Sequence, residues 1–344
     1  MDDPRTGVER ALTRISVARP YFDLADLELV GDGIVEATVP SHPTTAPEAG
    51  AIEAAQVARH LAILGSCAVA LTRDDDSRHH YLATRAHYSR MANAPASVDG
   101  PLRAQAIGSW IDKRNARALV TLSDADGRAL NLLDVTYTVL APRMFARLNP
   151  PIDLDAIDAA TTGAQPTETT ETIERRPGGV RVDAGPIPVE MCAGHFPDYP
   201  AAPVAIVMGQ LCDAAGLAML DHLGLGPLDS GGGGSEGGHR YRIEEGHVEA
   251  TGLARAGQRL VLDATYVTPV RGGHRLRGEA LADGEVVGEV DVVLSVHGPR
   301  VAGTEIEPAD VVAAADAAGD GTGGAAGDDR PDRDALIDLE GIRV

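Results

Sequence analysis

The chain has 344 residues, 44% hydrophobic residues and a formal net charge of −21 at pH 7. This length gives room for two domains that can each bury a core. The strong negative charge excludes nucleic acid and anionic membrane surfaces as expected partners. Three scattered cysteines, with no Cys/His cluster at zinc spacing, predict reduced thiols in a cytoplasmic protein without a metal or other cofactor.

The first half of the chain predicts one long helix among several strands. Residues 1–20 indicate a helical lead-in, and short apolar runs within 22–39 indicate a hairpin. The apolar run at 51–71 is longer than an ordinary strand, so it predicts a buried helix. The sequence is expected to contain no uninterrupted apolar stretch long enough to span a bilayer and no signal-peptide pattern at Met1. Strand-like runs follow at 81–88, 103–111, 116–123 and 129–140.

The second half repeats this order. Residues 1–150 are expected to form one domain and residues 173–300 a second, with a Pro- and Thr-rich linker at 151–172. Residues 301–344 carry eleven Asp and Glu against three Arg, and this composition predicts an acidic, disordered tail. Within the second domain, the pattern predicts a helix at 203–223, a flexible glycine-rich segment at 230–238, and strands at 241–252, 259–267, 274–281 and 285–296.

Two separate anchors indicate an internal duplication. Asp-Gly pairs at 126–127 and 283–284 each interrupt a strand-like pattern as a hairpin turn, and they lie 157 residues apart. Placing Pro47 on Pro203 gives an offset of 156 residues. Because the two offsets agree to within one residue, we expect two copies of one structural unit.

Residues 195–216 read HFPDYPAAPVAIVMGQLCDAAG. They resemble the signature of the hot-dog-fold 3-hydroxyacyl-acyl-carrier-protein dehydratases, in which His-Phe-Pro is followed by two further prolines, a glycine and a helix with a catalytic Glu or Asp. His195, Phe196 and the prolines match, but Val204 replaces the family's glycine and Gly209 replaces its acid. The resemblance implies an α+β, tandem (double) hot-dog fold, with each antiparallel sheet wrapped around a central buried helix.

The resemblance also implies a site shared between the halves. In the family, His acts as the base and the acid comes from the other hot dog. The offset of 156 residues puts Glu53 on Gly209, so we expect His195 and Glu53 to form one composite catalytic site. The site would dehydrate 3-hydroxyacyl thioesters to trans-2-enoyl thioesters in fatty acid or polyketide biosynthesis. The residues expected to bind the substrate are Val204, through its backbone N–H, with Pro203, Phe196 and Tyr199.

The resemblance further implies partners. The expected substrate is a thioester of acyl carrier protein or coenzyme A, with synthase components and a homodimer of double hot dogs as further associations. Carrier proteins are acidic, so an acidic dehydratase needs a local basic patch. Lys113, Arg114 and Arg117 are one candidate patch, and a solvated charged loop is the alternative interpretation.

Other assignments stay open at this point. Asp213 could replace the missing acid, and His42 could be the histidine of the first copy, paired with Asp213. A hot-dog acyl thioesterase could use Glu53 with Gln56 to activate water. A non-catalytic acyl-binding protein or complex subunit is the third possibility, which the loss of the acid at Gly209 favours.

Overall fold

The computed structural model describes residues 4–42, 44, 47–95, 98, 100–149, 171–225 and 238–298. The helices are α1 (Pro4–Arg14), α2 (Ala54–Leu71), α3 (Pro142–Leu148) and α4 (Val204–His222). The strands of the first half are β1 (Ala25–Gly31), β2 (Ile34–Val39), β3 (His80–Arg90), β4 (Leu102–Trp110), β5 (Asn115–Ser123) and β6 (Ala129–Leu140). Those of the second half are β7 (Thr172–Arg176), β8 (Gly179–Pro186), β9 (Arg240–Ala250), β10 (Arg259–Val270), β11 (Gly273–Ala282) and β12 (Glu285–His297).

One antiparallel sheet of 12 strands contains both halves, in the order β1-β2-β4-β5-β6-β3-β9-β12-β11-β10-β8-β7. Each half contributes six strands. Read from the edge of the sheet towards its centre, the first half runs β1-β2-β4-β5-β6-β3 and the second half runs β7-β8-β10-β11-β12-β9, which is the same arrangement. The halves meet where β3 pairs with β9. Helix α2 packs on β4 and β5, and α4 packs on β10 and β11. The chain is therefore a tandem hot dog with one buried helix per half, which confirms the predicted fold.

The two central helices are apolar because the sheet surrounds them. By length and composition alone, both could cross a membrane, with mean hydropathies of 1.4 for α2 and 1.5 for α4. Their most apolar windows are 67% and 56% buried inside the protein, and the helices form its core. Both helices are interrupted by charged residues, Arg59 in α2 and Asp213 in α4, as expected for a sequence without an uninterrupted apolar stretch of that length. Cys67, Cys192 and Cys212 are buried and unpaired, as predicted.

Glycines in the helices allow sheet tyrosines to reach the helix backbone. A Cβ at Gly65 would lie 2.5 Å from the hydroxyl of Tyr137, and that hydroxyl donates a 2.6 Å hydrogen bond to the carbonyl of Ala62. In the second half, a Cβ at Gly216 would lie 2.2 Å from the ring of Tyr241. Larger side chains at these two helix positions would separate the helix from its sheet.

The hairpin anchors of the duplication are confirmed, but the helix register is not. The Asp-Gly pairs at 126–127 and 283–284 form the equivalent turns β5–β6 and β11–β12. Glu53 is the N-cap of α2, whereas the N-cap of α4 is Pro203, so Glu53 and Gly209 are not equivalent. The reason is the connection after the helix, which is longer between α4 and β9 than between α2 and β3. A single offset therefore cannot hold across both the helix and the hairpin.

The structure contains several elements that the sequence analysis did not predict. Helix α3, the edge strand β7 with its neighbour β8, and a 3₁₀ turn at Val189–Cys192 were not predicted. The acidic tail at 301–344 lies outside the described residues, as does nearly all of the linker at 151–172 and of the glycine-rich segment at 230–238.

A buried arginine joins α1 to the end of α2. The side chain of Arg14 is only 1% exposed, and its Nη1 donates 3.0 Å hydrogen bonds to the carbonyls of Ala70 and Arg73. Its Nε and Nη2 contact Asp76 at 3.1 and 2.6 Å. The guanidinium therefore satisfies carbonyls at the C-terminus of α2, where a cation is also favoured by the helix dipole.

We expect Arg14→Met to lower the free energy of unfolding by about 2–4 kcal/mol, because the carbonyl of Arg73 would lose its guanidinium donor and that of Ala70 would keep only the 3.3 Å bond from the N–H of Arg73. Arg10→Met is the matched control on the same helix, since Arg10 is half-exposed and lies 3.9 Å from Asp76. The control should cost less than about 1 kcal/mol. Urea denaturation of both variants measures the difference, and equal losses would show that Arg14 does not cap the helix.

Candidate active site

A largely apolar cavity of about 280 Å³ lies between the two halves. This is close to the lower end of the volumes of small-molecule sites, about 300–1,000 Å³. Helix α2 of the first half contributes Ala62, Ile63 and Ser66, and the second half contributes His195 and the start of α4. The cavity therefore needs both halves, as the predicted composite site does.

The loop before α4 holds His195 in one orientation. Gly194 has a φ of +78°, and a Cβ there would lie 2.4 Å from the carbonyl oxygen of Ala18, so only glycine fits. The Nδ1 of His195 lies 2.8 Å from the carbonyl oxygen of Ala201. A carbonyl can only accept, so Nδ1 carries the proton and Nε2 has a free lone pair. Burial lowers the pKa of His195 to about 4, and the imidazole is neutral near pH 7.

The first turn of α4 supplies free hydrogen-bond donors to the same cavity. The N–H groups of Ile206 and Val207 bond the carbonyl of Pro203 at 3.0 and 3.1 Å. Within the described part of the chain, the N–H groups of Val204 and Ala205 have no acceptor, and both residues line the cavity. Helix N-termini carry partial positive charge, so these N–H groups can stabilise an oxyanion that forms in the cavity lined by His195.

An N-terminal segment completes the cavity wall. Val17 pairs with His195 in an isolated bridge, and the N–H of Ala18 donates a 2.7 Å hydrogen bond to the carbonyl of Gly194. The ring of Tyr21 packs edge-on against His195 at 4.9 Å. Sequence reasoning missed these residues, because nothing near Tyr21 signals a contact with a histidine so far along the chain.

Tyr81 is a second residue that the sequence interpretation missed. It lines the cavity from β3, and its buried hydroxyl has no hydrogen-bond partner among the described residues. A buried, unsatisfied hydroxyl is costly, so a bound polar group would be favoured there.

The predicted substrate-binding residues take different places. Val204 and Phe196 line the cavity, and Phe196 adopts a left-handed φ of 52° beside His195. Pro203 is the N-cap that begins α4. Tyr199 packs against Phe145 at a ring distance of 5.2 Å and is outside the cavity lining. The substrate-binding roles themselves stay predictions.

The expected pairing of His195 with Glu53 is not formed. Glu53 lies at the N-terminus of α2 and does not line the cavity, and its charge acts on His42, Glu48 and Asp213 instead. Gln56, its proposed partner in a thioesterase, is also outside the lining. No carboxylate lines this cavity within the described ranges.

Packing explains why Gly209 carries no acid. A Cβ at this position would lie 2.5 Å from the Cβ of Ala55, where α4 crosses α2. A glutamate there would push the two helices apart, so Gly209 is required by the helix contact.

Asp213 belongs to a separate buried cluster. It accepts a hydrogen bond from the Tyr241 hydroxyl, and nearby Glu48 accepts a 3.0 Å hydrogen bond from the N–H of Ala54. Burial raises the pKa of Glu48 to about 8 and that of Asp213 to about 6. His42 does not pair with Asp213, because it stacks on His60 with 3.0 Å between their Nε2 atoms.

The raised pKa of Glu48 predicts that the stability of the protein depends on pH, and Glu48→Gln should remove this dependence. Above about pH 4.5 the unfolded chain ionises at Glu48, whereas the folded chain stays protonated up to about pH 8. The free energy of unfolding therefore falls across this window, by up to about 1.4 kcal/mol per pH unit. The introduced amide would still accept from the N–H of Ala54, so the variant should gain stability relative to wild type between about pH 5 and pH 8. The free energy of unfolding of both proteins is measured by urea denaturation across this pH range. If wild type and Glu48→Gln showed the same dependence on pH, Glu48 would not be the group responsible.

The proposed basic patch is partly neutralised. Arg117 pairs with Asp134 across β5 and β6. Lys113 and Arg114 are exposed in the loop between β4 and β5, where the backbone N–H of Arg114 bonds Asp112. Docking of an acidic carrier protein at this loop stays a prediction.

Similar solved structures share this architecture at low sequence identity. The 12:0-ACP thioesterase from Umbellularia californica is 8% identical, with a TM-score of 0.51 over 81% of this chain and 100% of its own. The tesB protein of Mycobacterium avium subs paratuberculosis is 13% identical, with a TM-score of 0.48 over 79% and 96%. An acyl-ACP thioesterase from Bacteroides thetaiotaomicron is 11% identical, with a TM-score of 0.46 over 76% and 98%. No family model and no curated protein matches the sequence.

The comparisons support the double hot-dog fold, one that enzymes processing acyl thioesters use. They also correct the expected reaction. The structure of similar fold from Umbellularia californica is named a thioesterase, which is a hydrolase, so the expectation of a 3-hydroxyacyl dehydratase, a lyase, is contradicted. The physical reason is in the cavity, where none of the described residues that line it with His195 is a carboxylic acid that could protonate a departing hydroxyl.

Proposed function

We propose that this protein hydrolyses acyl thioesters in the cavity between its halves, with His195 as the general base. The observation that carries the proposal is the meeting of two groups in one largely apolar space. A neutral histidine with a free Nε2 lines the same cavity as Val204 and Ala205, whose N–H groups have no acceptor among the described residues. This is the arrangement that attack of water on a carbonyl requires.

The proposed steps use water, Nε2 of His195 and two N–H groups of α4. Nε2 of His195 takes a proton from water, and the oxygen of that water adds to the thioester carbonyl. The resulting oxyanion accepts hydrogen bonds from the N–H groups of Val204 and Ala205. Collapse breaks the C–S bond, and the imidazolium returns its proton to the thiolate. The products are a carboxylic acid and a free thiol.

The cavity wall fits an acyl chain better than a polar substrate. Ala62, Ile63 and Met208 give it an apolar surface, and the unsatisfied hydroxyl of Tyr81 offers one hydrogen bond. The Umbellularia californica thioesterase of similar fold has 12:0-ACP in its name, which supports a carrier-linked acyl chain. The carrier in this proposal is acyl carrier protein or coenzyme A.

The experiment is an assay of the full chain with acyl-coenzyme A and acyl-carrier-protein substrates of several chain lengths. Released thiol is followed with a thiol reagent, and the acid is identified by mass spectrometry. We expect equal amounts of thiol and free acid from at least one substrate. Absence of both across the series would overturn the proposal.

A second candidate function is acyl-chain binding without turnover. The observation in its favour is that no Asp or Glu of the described part of the chain lines the cavity with His195, since many catalytic histidines rely on a carboxylate for orientation. Tight binding of an acyl thioester in calorimetry, without thiol release, would favour this candidate over hydrolysis.

The pKa of His195 predicts an unusual pH profile for hydrolysis. With a pKa lowered to about 4, the base is already deprotonated at about pH 5.5. We therefore expect kcat/KM to stay flat between about pH 5.5 and pH 7.5, where a histidine at its ordinary pKa of about 6.5 would lose about tenfold. A tenfold fall in kcat/KM from about pH 7.5 to pH 5.5, measured while the protein stays folded, would show that another group, or a differently placed His195, is the base.

A further inference from the structure

We propose that His87, Glu245 and His247 form a binding site for a divalent transition metal ion of the zinc class. The three side chains lie where the two halves meet, outside the His195 cavity. One ligand atom from each can be chosen so that all three lie within 4.8 Å of one another. The site is independent of the proposed hydrolysis.

The strand register brings the three side chains together. His87 of β3 pairs directly with His247 of β9, and Ser89 pairs with Glu245. Side chains two residues apart on a strand share a face, and directly paired residues on antiparallel strands are neighbours on that face. The backbone of the central sheet therefore fixes all three positions.

The distances suit a metal ion. Nε2 of His87 lies 3.1 Å from Oε1 of Glu245, and Nε2 of His247 lies 3.2 Å from the same oxygen. Ligands of a tetrahedral zinc ion, at metal–ligand distances of about 2.0–2.1 Å, are about 3.3 Å apart. The two rings stack nearly parallel, with centroids 4.1 Å apart, so a bound ion requires at least one ring to rotate until both Nε2 lone pairs point at it.

The two halves differ at one position of this cluster, and the difference favours a cation. His87 and His247 are each the eighth residue of an 11-residue strand, so they are equivalent positions of the two halves. At the sixth position, β9 has Glu245 but β3 has Arg85. The positive charge of Arg85 is compensated by Glu249, which lies 3.1 Å away.

The donor set points to zinc-class ions. Two imidazoles and one carboxylate are ligands that zinc accepts, and three protein ligands leave one position open to water or a further ligand. All three side chains are partly exposed, so an ion can enter from solvent. Because the ligands come from both halves, bound metal would hold β3 against β9.

The test is calorimetric titration of tag-free, metal-free full chain with zinc chloride, together with the visible spectrum of the cobalt-loaded protein. We expect one ion per chain and a rise in Tm with zinc, since the metal binds the folded state. His247→Ala and His87→Ala should each weaken zinc binding by at least about tenfold, and His79→Ala, outside the cluster, should not.

Glu245→Gln keeps the shape of the side chain and should also weaken binding. Each variant is checked for an unchanged Tm without metal, so that loss of binding is not loss of fold. Absence of zinc binding by wild type would overturn the site, as would cluster variants that bind zinc as wild type does.

Discussion

His195→Gln should lower kcat/KM for thioester hydrolysis by about 10²–10⁴-fold, because the variant loses the base that deprotonates water. Glutamine can still donate an N–H to the carbonyl of Ala201, which now holds Nδ1 at 2.8 Å. The loop before α4 should therefore keep its conformation. Steady-state kinetics and the urea midpoint of the same preparation measure the two effects separately.

His42→Gln is the matched control for this variant. His42 is a histidine of the first half that stacks on His60 and does not line the cavity. Its replacement should leave hydrolysis near the wild-type rate. Should a folded His195→Gln variant keep near-normal turnover, or should His42→Gln abolish it, the base would have to lie outside this cavity.

Val204→Pro should lower kcat by about 10²–10³-fold, the usual effect of losing one oxyanion donor. Val204 is the first residue of α4, and proline is well tolerated at that position of a helix. The preceding Pro203 has φ −60° and ψ 134°, the extended conformation that a following proline requires. The substitution thus removes one N–H group while leaving the helix able to form.

Val204→Ala separates the role of the N–H from that of the side chain. Alanine keeps the donor and removes only two methyl groups from the cavity wall, so kcat should stay within a few-fold of wild type. The pair is measured by steady-state kinetics, with circular dichroism to confirm the helices. Equal effects of proline and alanine would show that the N–H of Val204 does not contact the reacting carbonyl.

Much of the fold was accessible to sequence reasoning because it is encoded locally. The helix at 51–71 and the strands on either side follow from apolar runs and their lengths, and the structure places them within a few residues. The Asp-Gly turns at 126–127 and 283–284 give the duplication, since this dipeptide is a strong hairpin signal. His195 was found through the residues that surround it.

The remaining parts of the site depend on contacts between distant segments. Val17 and Tyr21 reach His195 through an N-terminal segment that has no motif. The pairing with Glu53 failed because one offset was carried across connections of different length. No sequence pattern reports that Gly209 packs on Ala55, so the missing acid there was interpreted as lost chemistry when it is a packing requirement.

The most direct measurement is a crystal structure of the protein with a non-hydrolysable analogue of an acyl-coenzyme A, a thioether in which a methylene group separates the sulfur from a ketone carbonyl. The account predicts the acyl chain along Ile63 and Met208, with the ketone oxygen within hydrogen-bond distance of the N–H groups of Val204 and Ala205. Nε2 of His195 should lie beside the ketone carbon, with room for one water. An analogue bound at another surface, with this cavity empty, would contradict the account.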